Sequence, residues 1–281
     1  MATRAVTSPA NDSALAKTRQ RHRFGFRSWK QSRVLGTWID DLTIPEILDR
    51  LDEGTLFTIN PDHFWHLRRN PDFVAAYRSA TYVSCDSMWV LWTLAALGRR
   101  VRERGAGSDM MPAYCARHAA NPDVKMFLLG AQDGVAETAR QNLNELHGRE
   151  IVVDALGPSM NFVNDEAEID AAIARVNASG ATTLVIGLGA PKQEIWINRH
   201  RHRMPGVKVF MALGAALDFE AHNLKRAPRF MRMVGLEWLF RLAMEPRRLW
   251  WRYVRQIEFF WFAMLDGLGF YRAPATSPAK D

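Results

Sequence analysis

From about Val34 to Leu213, short β-branched or apolar runs alternate with stretches of helical periodicity. That alternation restricts the chain to a mostly parallel, Rossmann-like α/β sheet with helices on both faces. The predicted strands are residues 56–59, 81–84, 125–129, 151–154, 183–186 and 207–213. Helices are predicted at 87–97, 109–119, 133–146, 165–178 and 191–200. Another starts at Thr43, where Thr-Ile-Pro-Glu supplies an N-cap oxygen, a first-turn proline and a returning Glu46. No internal repeat interrupts this order.

In such a sheet ligands collect at the carboxyl ends of the strands, where loops vary freely and helix N-termini present positive partial charge. The residues with chemistry to offer fall at those ends. Asn60 follows one predicted strand, Asp86 a second, Gly130 a third, Gly187 and Gly189 a fourth, and Gly214 a fifth. One shared edge is expected to gather them.

Charge and composition narrow the function classes. Of the 281 residues, 48% are apolar, enough for a large buried core and too many for a disordered chain. The longest uninterrupted apolar run, residues 259–265, is far short of the roughly 20 residues that cross a bilayer. The basic N-terminal segment also lacks a signal peptide's apolar stretch, so a cytoplasmic protein is predicted. Cys85 and Cys115 are the only cysteines, which argues against a disulfide framework or a zinc site.

The net charge of +7 belongs to the ends. Residues 1–33 hold eight basic side chains against one acidic, and residues 225–255 nine against two, leaving an acidic body between them. Domains are accordingly expected at 1–33 (a basic, mobile extension), 34–224 (catalytic), 225–272 (a cationic appendage) and 273–281 (a mobile tail). This distribution disfavours a nucleic-acid-binding protein, which would carry its basic surface on the folded body.

Two sites stand out. Val185-Ile-Gly-Leu-Gly-Ala-Pro-Lys-Gln-Glu194 reads as a strand, a tight glycine turn and a helix opening at Pro191. It suits a phosphate, with Gln193 and Glu194 nearest the mouth. It lacks the third glycine of the dinucleotide fingerprint, which disfavours a nicotinamide-dependent enzyme. The second is Asp86, directly before an apolar helix. Asp86 is either that helix's N-cap or a general base whose carboxyl, set beside apolar surface, keeps a raised pKa. Cys85 reads as inert core.

Several stretches in order resemble the WecG/TagA/CpsF family of glycosyltransferases. They are Thr58-Ile-Asn60-Pro61, Asp86, Glu103-Arg104-Gly-Ala-Gly107-Ser-Asp109, Phe127-Leu-Leu-Gly130 and Gly187-Leu-Gly-Ala-Pro-Lys-Gln-Glu194. Gly214-Ala-Ala-Leu-Asp218, Lys225-Arg-Ala-Pro-Arg229, Gly235-Leu-Glu-Trp238 and Glu245-Pro-Arg-Arg248 follow, so the resemblance covers about residues 34–255. It implies an inverting, metal-independent transfer from a UDP-sugar to a polyprenyl-diphosphate-linked saccharide, in surface or extracellular polysaccharide synthesis, with no cofactor. The chain contains no Asp-x-Asp, in keeping with arginines and backbone amides neutralising the leaving diphosphate.

By matching positions, the resemblance implies that Asp86 is the base and that Thr58 and Asn60 position a sugar. Arg104 and Gln193 would contact the donor, while Asp218, Lys192 and the turns at Gly130, Gly187 and Gly189 would line the nucleotide pocket. Arg226, Arg229, Arg232, Arg241 and Arg248 would meet the diphosphate or the membrane. Ser87 replaces the family's glycine after the Asp, so a reshaped acceptor pocket is expected. A non-catalytic, nucleotide-binding membrane scaffold remains the alternative.

Between Val234 and Met264, Leu239, Leu242, Leu249, Tyr253, Ile257, Phe260 and Met264 recur at helical spacing, with arginines at 241, 247, 248, 252 and 255 between them. A Trp-rich, cationic, amphipathic segment of this kind lies in the plane of an anionic membrane surface, so peripheral attachment at the cytoplasmic face of the inner membrane is expected. Packing of these aromatics on the body, or on a neighbouring subunit of a homo-oligomer, is the alternative. Pro246 is expected to kink or restart the helix.

Overall fold

All six predicted strands form, and they assemble into one parallel sheet. The structure, a computed structural model, describes residues 29–273, with the side chains of Arg229 and Arg248 excepted. Most of the mobile extension and tail expected at the two ends, residues 1–28 and 274–281, lies outside the described residues. A hairpin, β1 (Gln31–Val34) and β2 (Thr37–Asp40), comes first, and the chain reverses there through Leu35 and Gly36, both at positive φ. The sequence pattern does not predict this hairpin; β1 begins inside the segment expected to be a structureless basic extension. It is tied to the sheet by the Asp40 carboxylate, which accepts from the Val83 amide at 2.7 Å.

The sheet comprises β3 (Gly54–Ile59), β4 (Tyr82–Cys85), β5 (Met126–Gly130), β6 (Val152–Leu156), β7 (Thr183–Gly187) and β8 (Val209–Ala212), in the order β4-β3-β8-β7-β5-β6. Every pair is parallel. Such strands are covered on both faces, which is why they read as continuous apolar runs. Leu56, Phe57, Ile59, Phe127, Leu129, Leu184 and Ile186 are all fully buried.

Helices flank the sheet. After β2 comes α1 (Ile44–Leu48), on which Thr43 and Glu46 form the expected capping box. Two short helices, α2 (Pro61–Leu67) and α3 (Pro71–Ser79), follow β3, each with an asparagine cap and a proline at its start. α4 (Met88–Ala96) and α5 (Gly107–Arg117) follow β4; α6 (Val135–His147), α7 (Glu166–Ala178) and α8 (Lys192–His200) follow β5, β6 and β7. After β8 come α9 (Ala216–Glu220), α10 (Arg229–Met233), α11 (Glu237–Met244) and α12 (Pro246–Gly267). Pro246 restarts the helix at the first turn of α12, where its missing N–H costs nothing. Among the described residues no helix is long and apolar enough to cross a membrane.

The tail is folded back onto the body. On α12 the residues Arg252, Arg255, Phe259 and Ala263 recur every three or four positions and therefore share the face that meets α2. Phe259 stacks on Phe64 with ring centroids 4.8 Å apart, and Ala263 is fully buried. Arg252 and Arg255 both reach Asp62, at 3.0 and 2.8 Å, and the Asp62 side chain is only 3% exposed. Glu258 pairs with Arg68 and Arg69, and Asp266 with Arg99. The opposite side of the tail leaves Trp250, Trp251, Ile257, Trp261, Met264 and Leu268 exposed.

Candidate active site

Where β3 and β4 end, the folded-back tail closes a cavity of about 390 Å³. Its walls include Asn60, Asp86, Ser87 and Arg104 from the body, Glu237, Trp238 and Arg241 from α11, and Trp250, Arg252, Tyr253, Ile257 and Phe260 from α12. Asp86 stands at the sheet end of this space. Its backbone amide continues the ladder by donating to the Ile59 carbonyl at 2.8 Å.

Asp86 is not the cap of α4. Ser87 occupies that position and makes no side-chain capping bond, so the carboxylate is free of the role that most aspartates before helices serve. Burial pushes the Asp86 carboxyl up to about 7, with Arg104 opposing, Glu237 adding to the rise, Arg241 opposing and Asp109 adding. A carboxyl poised there accepts a proton near neutrality and releases it again. Ser87 has an extended backbone with φ −147°, so no glycine is required at this position, and its side chain lies at the cavity wall.

Arg104 is held by two carboxylates. One Nη donates to Glu237 at 2.8 Å and the other to Asp109 at 3.2 Å. Asp109 in turn accepts from Arg226 at 2.6 Å and lies 3.7 Å from Arg232. Arg226 and Arg232 therefore gather beside the cavity through Asp109, whereas Arg241 lines it directly. Arg229 and Arg248 are among the residues whose side chains are not described. Arg252, which the sequence assigned to lipid, is turned inward to Asp62 and the cavity.

Asn60 lines the cavity while its Oδ1 accepts from the Asp62 amide at 3.0 Å, capping α2. Thr58 lies deeper, nearly buried within β3. Its carbonyl accepts from the Tyr77 hydroxyl at 3.0 Å, and the same hydroxyl is 2.6 Å from Nδ1 of His63. Burial drives the His63 imidazole down to about 3, so it stays neutral and belongs to the packing under the site. Cys85 is core as expected, its thiol pushed up to about 12 by burial.

The glycine turns sit farther along the same edge. β4 and β7 are separated by β3 and β8, which puts Asp86 and Gly187 roughly 14 Å apart at ordinary strand spacing. Gly130, Gly187, Gly189, Lys192, Gln193 and Asp218 do not line the Asp86 cavity. Gly130, at φ +131°, pairs with Gly187, and a Cβ on it would stand 2.5 Å from Gly187 backbone. A packing requirement therefore accounts for that glycine on its own. Lys192 is exposed. Asp218 is half-buried, its carbonyl accepting from Asn223 and Leu224 at the end of α9.

Gln193 and Glu194 are not at the mouth of the glycine turn. They are 2% and 0% exposed, because the first turn of α8 faces the sheet. Gln193 is pinned at both ends: its Oε1 accepts from the Gly189 amide at 3.1 Å and its Nε2 donates to Glu194 at 2.9 Å. Among the described residues, Oε2 of Glu194 has no partner. Burial lifts this carboxyl to about 7 against the opposing Gln193 hydrogen bond.

The folded state thus keeps the Glu194 proton up to about pH 7, whereas an unfolded chain releases it near the ordinary value of 4.5. Stability falls as pH rises through that window, and the full cost stands above it. Glu194→Gln should therefore raise the melting temperature by several degrees at pH 8, corresponding to on the order of 3 kcal/mol, and the two proteins should converge below the ordinary value of 4.5. A variant that melts below the wild type at both pH values would show that the carboxylate has a partner when ionised.

Sequence reasoning gave Glu237 no role and assigned Arg252 and Tyr253 to the membrane-facing tail, whereas all three line the cavity. Gly235-Leu-Glu-Trp238 was a visible signal for Glu237, and the resemblance implied that tail arginines such as Arg226 and Arg241 fold over the site, but not that α12 also supplies its wall. Among the described residues no group of three or more His, Cys, Asp or Glu is placed to hold a metal ion.

The model of the glycosyl transferase WecG/TagA/CpsF family matches residues 32–273. A protein of Bacillus spizizenii named N-acetylglucosaminyldiphosphoundecaprenol N-acetyl-beta-D-mannosaminyltransferase is 30% identical over 218 residues, which cover 78% of this chain and 81% of the relative.

Proposed function

Because the chain belongs to the WecG/TagA/CpsF family of glycosyl transferases, we propose that it moves a sugar from a UDP-sugar to a polyprenyl-diphosphate-linked saccharide, with inversion. The relative's name specifies an N-acetylglucosaminyl diphosphoprenol acceptor, and an acceptor of that chemistry is proposed here. One observation carries the reading: a carboxyl near neutrality, Asp86, shares a cavity with three arginines, Arg104, Arg241 and Arg252, and with an apolar wall.

Each part has a task in the transfer. The acceptor hydroxyl attacks the anomeric carbon from the face opposite UDP, its proton passes to Asp86, and the bond to the diphosphate oxygen breaks with the electron pair leaving on UDP. Arginines at the cavity wall stabilise diphosphate charge, which a half-buried guanidinium does better than one in open water. Trp89, Trp250, Ile257 and Phe260 offer the first prenyl units an apolar path from the cavity to the exposed tail surface. Nucleotide binding is assigned to the glycine turns beyond β8, so that the donor would lie along the sheet edge toward Asp86.

Membrane attachment is proposed to rest on the outward Trp and Phe side chains more than on charge. Arg252 and Arg255 are committed to Asp62, which leaves fewer cations for lipid than the sequence suggested. UDP-glucose, UDP-glucuronate and UDP-N-acetylmannosamine should be screened against a synthetic prenyl-diphosphate N-acetylglucosamine, with and without EDTA. Turnover with one donor that survives the chelator is expected. Turnover abolished by EDTA would sink metal independence, and UDP binding without turnover on any donor would favour the scaffold.

A further inference from the structure

We propose that Glu237 is a positioning residue of the transfer site: carried in by the tail, its carboxylate occupies the Arg104 guanidinium and so keeps that cation out of a direct ion pair with Asp86. The inference deepens the proposed transferase reading and rests on it. Nothing in that reading requires a second carboxylate beside the base, yet the cavity contains one.

The geometry favours this role over a simple surface ion pair. Glu237 and Arg104 are both mostly buried, with side chains 18% and 15% exposed, and their 2.8 Å contact joins residues 133 positions apart. Arg104 spends one Nη on Glu237 and the other on Asp109, and makes no ion pair with Asp86. A guanidinium fork left without its first partner would turn to the nearest available carboxylate in the cavity. Pairing with a cation holds a carboxylate ionised and makes it a poorer proton acceptor.

Charged and titratable groups face Asp86 from three sides. From the body these are Arg104, Asp109, Tyr77 and Cys85; from α11, Glu237 and Arg241; from α12, Arg252 and Tyr253. Among the acidic groups, Glu237 contributes more than Asp109 to the raised Asp86 carboxyl. It also resides on the tail. Seating α11 therefore delivers two things together: a wall of the cavity, and the anion that leaves Asp86 able to cycle its proton.

The test is Glu237→Gln, which keeps an oxygen for Arg104 and removes the charge. Carboxyl-carbon NMR titration of wild type and variant, with the Asp86 signal assigned by its loss in Asp86→Asn, reads the base directly and needs no substrate. The Asp86 midpoint should move to lower pH in Glu237→Gln. With the donor that turns over in the screen above and prenyl-diphosphate N-acetylglucosamine, the acid limb of the kcat profile should move the same way. At pH 7, kcat should fall by roughly tenfold while donor KM holds.

An Asp86 midpoint that stays in place or rises in folded Glu237→Gln overturns the inference, because a merely structural Glu237 would change stability without moving that titration. Glu237→Asp is the second variant: it keeps the charge but withdraws it by one methylene, and a smaller shift in the same direction is expected, with no shift counting against the proposal. Wild-type turnover in Asp86→Asn would remove Asp86 as the base and overturn this inference with it, whereas absence of transfer by the wild type on every donor would overturn the transferase reading itself. An inactive Asp86→Asn beside an unmoved midpoint in Glu237→Gln would overturn this inference alone.

Discussion

Asp86→Asn should lower turnover by roughly 10²- to 10⁴-fold while leaving UDP binding nearly unchanged. The substitution keeps the shape of the side chain and removes only its capacity to take a proton. Local structure should survive, because the Asp86 backbone amide still bonds to Ile59 and the side chain caps nothing. The proposed nucleotide turns lie beyond two intervening strands, too far for an amide at position 86 to disturb them. The variant should also be more stable above pH 7. There the wild type holds a buried, ionised carboxylate whose folded midpoint is about 7 against an ordinary value of 3.8, a cost that grows as pH rises between those values and vanishes below them. Higher stability with lost turnover is the signature of a group retained for chemistry rather than for folding. Turnover within a few-fold of wild type would remove Asp86 from its role.

The parts of this molecule that the sequence made legible are those fixed by local pattern. The strands at Leu56, Phe127 and Val185 announce themselves because both of their faces are buried, so apolar side chains run without alternation. The Thr43 cap was readable because its oxygen and its returning Glu46 are three residues apart. Asp86 was readable as the residue that ends a strand and precedes an apolar helix, though not which of its two roles it served. Ser87 taking the N-cap position leaves Asp86 without the capping role.

What escaped the sequence depends on pairings between distant segments. The Arg252 and Arg255 pairing with Asp62 spans about 190 positions, and no periodicity within α12 distinguishes an arginine facing lipid from one facing a buried carboxylate. Gln193 and Glu194 looked like mouth residues because polar side chains beside a glycine turn usually face solvent. Here the phase of α8 turns them inward, and burial instead makes Glu194 a second raised carboxyl. The hairpin at Gln31 was hidden by its basic neighbours, since composition describes a segment and not the register of four residues.

Ending the chain at Glu245, and so removing α12, should abolish transfer and release the protein from vesicles. Asp62 would lose both arginines together with the helix that covers it. Phe64 would no longer have the Phe259 ring stacked on it, and the Asp86 cavity would be missing the wall formed by Trp250, Tyr253, Ile257 and Phe260. An open cavity admits water to Asp86 and to the arginines proposed to meet the diphosphate, weakening the proposed action of both. Because truncation destabilises the fold as well, a milder variant separates the two roles of the tail. Trp251 and Trp261 are 74% and 58% exposed and do not line the cavity. Changing both to Ser should release the protein from vesicles while sparing transfer to a short-chain, water-soluble prenyl-diphosphate acceptor. Wild-type attachment through these two tryptophans should weaken little between low and moderate salt, since apolar insertion is not screened as charge is. Vesicle binding that survives the double tryptophan change but disappears with salt would instead return the attachment to the arginines.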